Sequence, residues 1–158
     1  MGLLVLVPTW LSIVILTSLD NGKWLVFVVV LIVASADIGA YFSGSRFGKN
    51  KLSPNVSPNK TWEGFLGAIT ANLCVTFLLG IFLKLNLTEW LMLFFIVMAT
   101  VLAAVVGDLL ESMMKRHRGV KDSGNILPGH GGVLDRVDSL TAALPVFTLI
   151  FIYSSFQL

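Results

Sequence analysis

Charge is what this sequence has least of. Lys, Arg, Asp and Glu make up 13% of its 158 residues, against roughly a quarter in an ordinary soluble domain. So few polar side chains cannot cover a water-exposed globule of this size, which excludes a soluble fold. A formal net charge of only +2 likewise gives no electrostatic case for a nucleic-acid partner. The one cysteine, Cys74, excludes a disulfide framework and reads as a small packing residue inside an apolar stretch. There is no internal repeat and no low-complexity tract. The N-terminal apolar stretch lacks a basic leader and an A-x-A cleavage site, so it reads as a span and not as a secretory signal. Leu6 stands where a myristoylation signal needs Ser or Thr, so the expectation is a chain that spans the bilayer without a lipid anchor.

What fills the space left by charge is hydrocarbon, 56% of the residues. Crossing about 30 Å of acyl chain takes roughly 17–25 helical residues, and five stretches qualify, near residues 3–19, 24–42, 65–83, 90–107 and 140–156. The expected fold is all-α, a polytopic transmembrane helical bundle of about five spans forming a single membrane domain over residues 1–158.

The basic residues are unevenly placed. Arg46, Lys49, Lys51 and Lys60 follow the second stretch, and Lys115, Arg116, Arg118, Lys121 and Arg136 follow the fourth, leaving only Lys23 and Lys84 on the other side. Short loops rich in Lys and Arg stay in the cytoplasm, so both long loops and the N-terminus are expected inside. Those loops are also rich in Gly, Pro, Ser and Asn, which give turns and anion-accepting N–H groups.

The fourth stretch runs directly into Asp108, Glu111, Ser112 and Lys115, which share one face if the helix continues. They read either as a snorkelling helix end, with Glu111 and Lys115 as a surface ion pair, or as functional groups at a membrane boundary. In the following segment, residues 121–138, four glycines and a proline alternate with Lys121, His130, Arg136 and carboxylates. Backbone can therefore approach a ligand closely while cations surround it. Asp135 and Asp138 open the last helix, where they can act as helix caps or join Asp108 as hard oxygen ligands for Mg2+. A metal to bridge phosphates, cations for the leaving pyrophosphate and a channel for the acceptor are what nucleotidyl transfer requires. The residues by themselves lead to phosphate chemistry with a metal and no further.

The run Ser112-Met113-Met114-Lys115-Arg116, then Lys121-Asp122-Ser123-Gly124, then Pro128-Gly129-His130-Gly131-Gly132-Val133-Leu134-Asp135-Arg136-Val137-Asp138 resembles the signature of the phosphatidate cytidylyltransferase (CDP-diacylglycerol synthase) family. Similarity extends to Asp37-Ile38-Gly39-Ala40-Tyr41-Phe42, Phe47-Gly48-Lys49, residues 57–64 and Gly107-Asp108-Leu109-Leu110-Glu111-Ser112. The resemblance implies transfer of the cytidylyl group of CTP to phosphatidic acid, giving CDP-diacylglycerol and pyrophosphate, with Mg2+ as cofactor. It implies Asp108, Asp135 and Asp138 as metal ligands, and Lys121 and Arg136 beside Asp108 and Asp135 at the reacting phosphates. Lys60 and His130 would contact phosphate, Ser57 and Thr61 would donate from the other loop, and Asp37 would line the cavity. Lys115 and Arg116 fit either substrate contact or topology alone, and Glu63 and Glu111 would orient cations.

The implied partners are CTP, phosphatidic acid, membrane lipids and a second copy of the chain, with no nucleic acid. The implied location is the bacterial inner membrane, with the site facing the cytoplasm. Family members are usually longer, with further spans before the matched region, so this chain corresponds to the C-terminal, motif-bearing part. Two other readings stay open: a CTP-dependent kinase of a polyprenol-type lipid alcohol, and a non-catalytic truncated homologue.

Overall fold

The computed structural model describes residues 2–54, 56–120, 123–124, 132 and 134–154, without the side chain of Arg136. Five helices account for most of it: α1 (Gly2–Thr17), α2 (Gly22–Phe47), α3 (Trp62–Phe82), α4 (Leu87–His117) and α5 (Leu134–Tyr153). Between α2 and α3 lies an antiparallel hairpin, β1 (Lys51–Ser53) with β2 (Ser57–Thr61), pairing Lys51 with Thr61 and Ser53 with Ser57. Each of the five expected apolar stretches is helical over most of its described length. By length and composition α2, α3 and α4 can each cross a membrane, whereas α1 and the apolar part of α5, Val137–Tyr153, are shorter. At 1.5 Å per residue the 16 residues of α1 reach only about 24 Å.

Helix ends follow local chemistry. Thr61 caps α3 by accepting the Gly64 N–H through its hydroxyl at 3.1 Å, and Asn86 with Glu89 forms a capping box on α4. The far end of α4 closes where Gly119 takes a φ of +69°. Gly119 N–H then returns to the Arg116 carbonyl and Val120 N–H to the Lys115 carbonyl, both at 3.0 Å, the paired bonds of a Schellman stop.

Packing is that of a protein in lipid. Leu25, Val29 and Ile32 of α2 meet Leu93, Ile96 and Val97 of α4 and Phe147 of α5 in the buried centre, while Phe77, Phe82 and Phe95 face outward. Cys74 also faces outward, so it does not serve as a packing residue. Lipid offers no hydrophobic drive for one helix to join another, and close backbone approach supplies the attraction instead. At the α2–α3 crossing, a Cβ on Gly39 would strike the Gly67 carbonyl, and one on Gly67 would strike the Ser43 side chain. Gly67→Ala is therefore expected to destabilise the protein by roughly 1–3 kcal/mol through overpacking, seen as a lower melting temperature in detergent. An unchanged melting temperature would mean that the crossing has slack. Buried Asn72 reinforces the same seam, accepting from the Ser35 hydroxyl at 3.1 Å and donating to the Ala68 carbonyl at 3.1 Å.

Candidate active site

The hairpin and the adjoining ends of α2, α3, α4 and α5 meet at one end of the bundle. They enclose a pocket of about 370 Å³. Its polar lining is Asp37 from α2, Ser57, Asn59, Lys60 and Thr61 from the hairpin, Asp108 from α4 and Ser139 from α5. Ala36, Ala40, Gly64, Ala68 and Ala104 also line it, and these small residues create the space. Asp37 stands ten residues before the end of α2 and Asp108 nine before the end of α4, about 15 Å back along each helix. The carboxylates are thus carried inward from the helix ends.

Lys60 makes an ion pair with Asp108, with the two side chains 24% and 26% exposed. Ser112 donates to Asp108 from one turn on, at 3.4 Å. Asp37, Asp108 and Asp138 lie near enough for their charges to act on one another, with Lys60 facing Asp37 and Asp138 and Lys115 also acting on Asp138. Asp138 accepts from the N–H of Ser139 at 2.7 Å.

A second knot adjoins the first. Lys115 donates to Asp135 at 2.7 Å and to Glu111 at 3.3 Å. Asp135 also accepts from the backbone N–H of Ser123 at 2.8 Å and of Gly132 at 2.7 Å. Burial by itself would raise the Asp135 pKa, but the Lys115 ammonium and these N–H groups outweigh it and hold the carboxyl well below the usual carboxylate range. Asp135 therefore stays ionised at neutral pH, and the stability it contributes is lost only in acid, below the ordinary carboxylate pKa.

Of the residues expected from sequence, Asp37, Ser57, Lys60, Thr61 and Asp108 share the pocket, and Asp138, Asp135 and Lys115 adjoin it. Arg116 lies apart, its Nε donating to the Val56 carbonyl at the hairpin turn at 3.4 Å. Lys121, His130 and the side chain of Arg136 lie outside the described residues. Glu63 holds Asn50 at the base of the hairpin, accepting from its side-chain amide at 2.9 Å. Asn59 and Ser139 line the pocket but were not singled out from sequence. Ser139 was detectable in principle, since it lies one turn after Asp135 and next to Asp138.

Among the described residues no three His, Cys, Asp or Glu side chains are close enough together to hold a metal ion as they stand. The donor set nevertheless suits a hard divalent cation: among the described residues the carboxylates of Asp37, Asp108 and Asp138 repel one another and are only partly offset by Lys60 and, at Asp138, Lys115, and a bound cation would relieve that repulsion.

The chain is 50% identical over 147 residues to the phosphatidate cytidylyltransferase of Pseudomonas aeruginosa, covering 93% of this chain and 54% of the relative. It is 48% identical over 139 residues to the Haemophilus influenzae protein of the same name, covering 84% and 47%. With that of Staphylococcus saprophyticus it shares 45% over 133 residues, covering 84% and 51%. The chain spans about half the length of the curated relatives it matches. The family described as "Cytidylyltransferase family" matches residues 1–154. With its apolar helices and this match along almost its whole length, the chain is an integral membrane protein that belongs to the cytidylyltransferase family.

Proposed function

We propose that this chain carries the active site of a phosphatidate cytidylyltransferase, which joins CTP and phosphatidic acid into CDP-diacylglycerol with release of pyrophosphate. The observation that carries the reading is the convergence of Asp37, Ser57, Lys60 and Asp108 from separate elements on one pocket at one end of an apolar bundle. Lys60 and Ser57 bind the triphosphate at the pocket mouth, joined by Lys121 and His130 from the segment before α5 and by Arg136 from its first turn. Asp108, Asp135 and Asp138 would hold Mg2+, with Asp37 adding negative charge across the pocket. Asp135, held by Lys115 and two backbone N–H groups, is the member that must exchange a partner to join them. Bound Mg2+ supplies charge neutralisation at the triphosphate. A phosphate monoester is already ionised at neutral pH, so the acceptor oxygen needs no base to attack the α-phosphorus. The pyrophosphate that leaves is met by the same lysines and arginine. Nine of the eleven basic residues on one side of the spans support a site facing the cytoplasm, here of a bacterial inner membrane.

The test is to incubate the purified 158-residue protein with CTP, phosphatidate and Mg2+ and to measure pyrophosphate and CDP-lipid, with EDTA and Asp135→Asn as controls. Metal-dependent formation of both products is expected, with little from the variant. Release of CDP from a lipid alcohol would indicate a kinase. No product from a folded, inserted chain would refute independent catalysis and leave a chain that needs further spans or a partner.

A further inference from the structure

One large cavity has no part in the chemistry above. A groove of about 490 Å³ runs between the first turns of α1, the last turns of α4 and the start of α5. Its wall is apolar, built from Leu4, Val5, Leu110, Met114, Leu134 and Pro145 among others. Leu4 of this wall is 75% exposed. The charged lining is confined to Glu111, Lys115 and Arg118, which at i, i+4 and i+7 form one stripe along α4.

These three are not equivalent. Glu111 and Lys115 satisfy each other, and Lys115 is also taken by Asp135. Arg118 makes no ion pair among the described residues. It is the C-cap of α4, and the Schellman stop at Gly119 turns Val120 back into the groove wall beside it. The backbone of Arg118 is thus fixed at the end of an apolar trough, which the residue lines, and Arg118 lies outside the residues on which the family resemblance rests. The groove and the polar pocket share the α4–α5 pair as a common wall. Gly107 lines the groove and Asp108 the pocket; Thr141 and Ala142 line the groove and Ser139 the pocket. Lys115 lines the groove and also grips Asp135.

An apolar trough that ends at a cation with no ion-pair partner among the described residues fits an anionic amphiphile, and a diacyl phosphomonoester has that form. Resting on the cytidylyltransferase reading, we infer that this groove seats the acyl chains of the lipid acceptor and that Arg118 holds its headgroup at the mouth. The polar pocket is then left to the nucleotide, and the acceptor phosphate meets it across the α4–α5 wall near Lys115 and Asp138.

The probe is phosphatidate with a photoactivatable group on one acyl chain, in phosphatidylcholine vesicles holding the intact protein, with labelled peptides mapped by mass spectrometry. Label is expected on residues 4–8 and 110–114, displaced by unlabelled phosphatidate and not by excess phosphatidylcholine. Arg118→Gln should weaken labelling roughly fivefold, as loss of one solvent-screened charge contact does, and Arg118→Lys should recover part of it. Val5→Trp, which fills the trough, should also exclude the probe. In turnover, Arg118→Gln should raise the KM for phosphatidate by the same factor while the KM for CTP stays constant. Label on Ala36, Ala40 and Ala68 instead, or equal displacement by phosphatidylcholine, would overturn the assignment even in an active enzyme. Groove label that depends on Arg118 in a chain making no CDP-lipid would uphold the lipid site and remove the cytidylyltransferase reading alone.

Discussion

Asp108→Asn is expected to lower turnover on the order of a thousandfold, the scale of removing one preorganised electrostatic stabiliser from an active site, with membrane insertion and melting little changed. The reason is geometric. Asparagine keeps the shape of the side chain and its bond from Ser112, so only the charge is lost. That charge faces Lys60 from across the pocket and belongs to the Asp37–Asp108–Asp138 group. Two roles for it make opposite predictions. If Asp108 were merely the counterion that keeps Lys60 in place, removing both charges in Lys60→Met/Asp108→Asn would relieve the imbalance and restore much of the rate. If both handle phosphate and cation directly, the double variant should be no better than Asp108→Asn alone, because residues that act as a unit are not additive. We expect the second result; recovery in the double variant would reassign Asp108 to structure.

The parts of the molecule that were legible in its sequence are those encoded within one helix. Hydropathy alone located all five helices, and i, i+4 spacing gave the Glu111–Lys115 pair and placed Ser112 beside Asp108. What could not be read is what folding joins across distance. Lys60 and Asp108 are far apart in the chain, and Lys115 reaches Asp135 only because α4 and α5 pack side by side. The hairpin was missed because Ser57-Pro58-Asn59-Lys60-Thr61 has no β-branched or aromatic pattern. It is held instead at its base, where Trp62 N–H returns to the Asn50 carbonyl at 3.0 Å and Glu63 binds the Asn50 side chain. The apolar groove was equally hidden, since its wall is assembled from three helices, none of which has an unusual sequence.

Lys115→Met is expected to have the largest effect on stability among the polar residues of this end. Lys115 is 16% exposed and its partners Asp135 and Glu111 are 10% and 22% exposed, so removing the ammonium leaves two carboxylates together in a poorly hydrated place. Breaking a fully buried pair from one side costs roughly 3 kcal/mol or more; these groups are part-buried, so a loss of about 1–2 kcal/mol, between that and a surface pair, should appear as a lower melting temperature in detergent. The two carboxylates do not share that cost equally. Asp135 keeps its bonds from the Ser123 and Gly132 N–H groups, whereas Glu111 has no other bonded partner among the described residues. A second substitution, Glu111→Gln, should therefore recover most of the stability in the Lys115→Met background, and Asp135→Asn should recover little, because it weakens the two backbone bonds as it removes the charge. Recovery by Asp135→Asn and not by Glu111→Gln would mean that Asp135 depends on Lys115 more than on its backbone donors. Activity should remain low in the Lys115→Met/Glu111→Gln protein even when it is as stable as the parent, because Lys115 both lines the groove and holds Asp135, a candidate metal ligand.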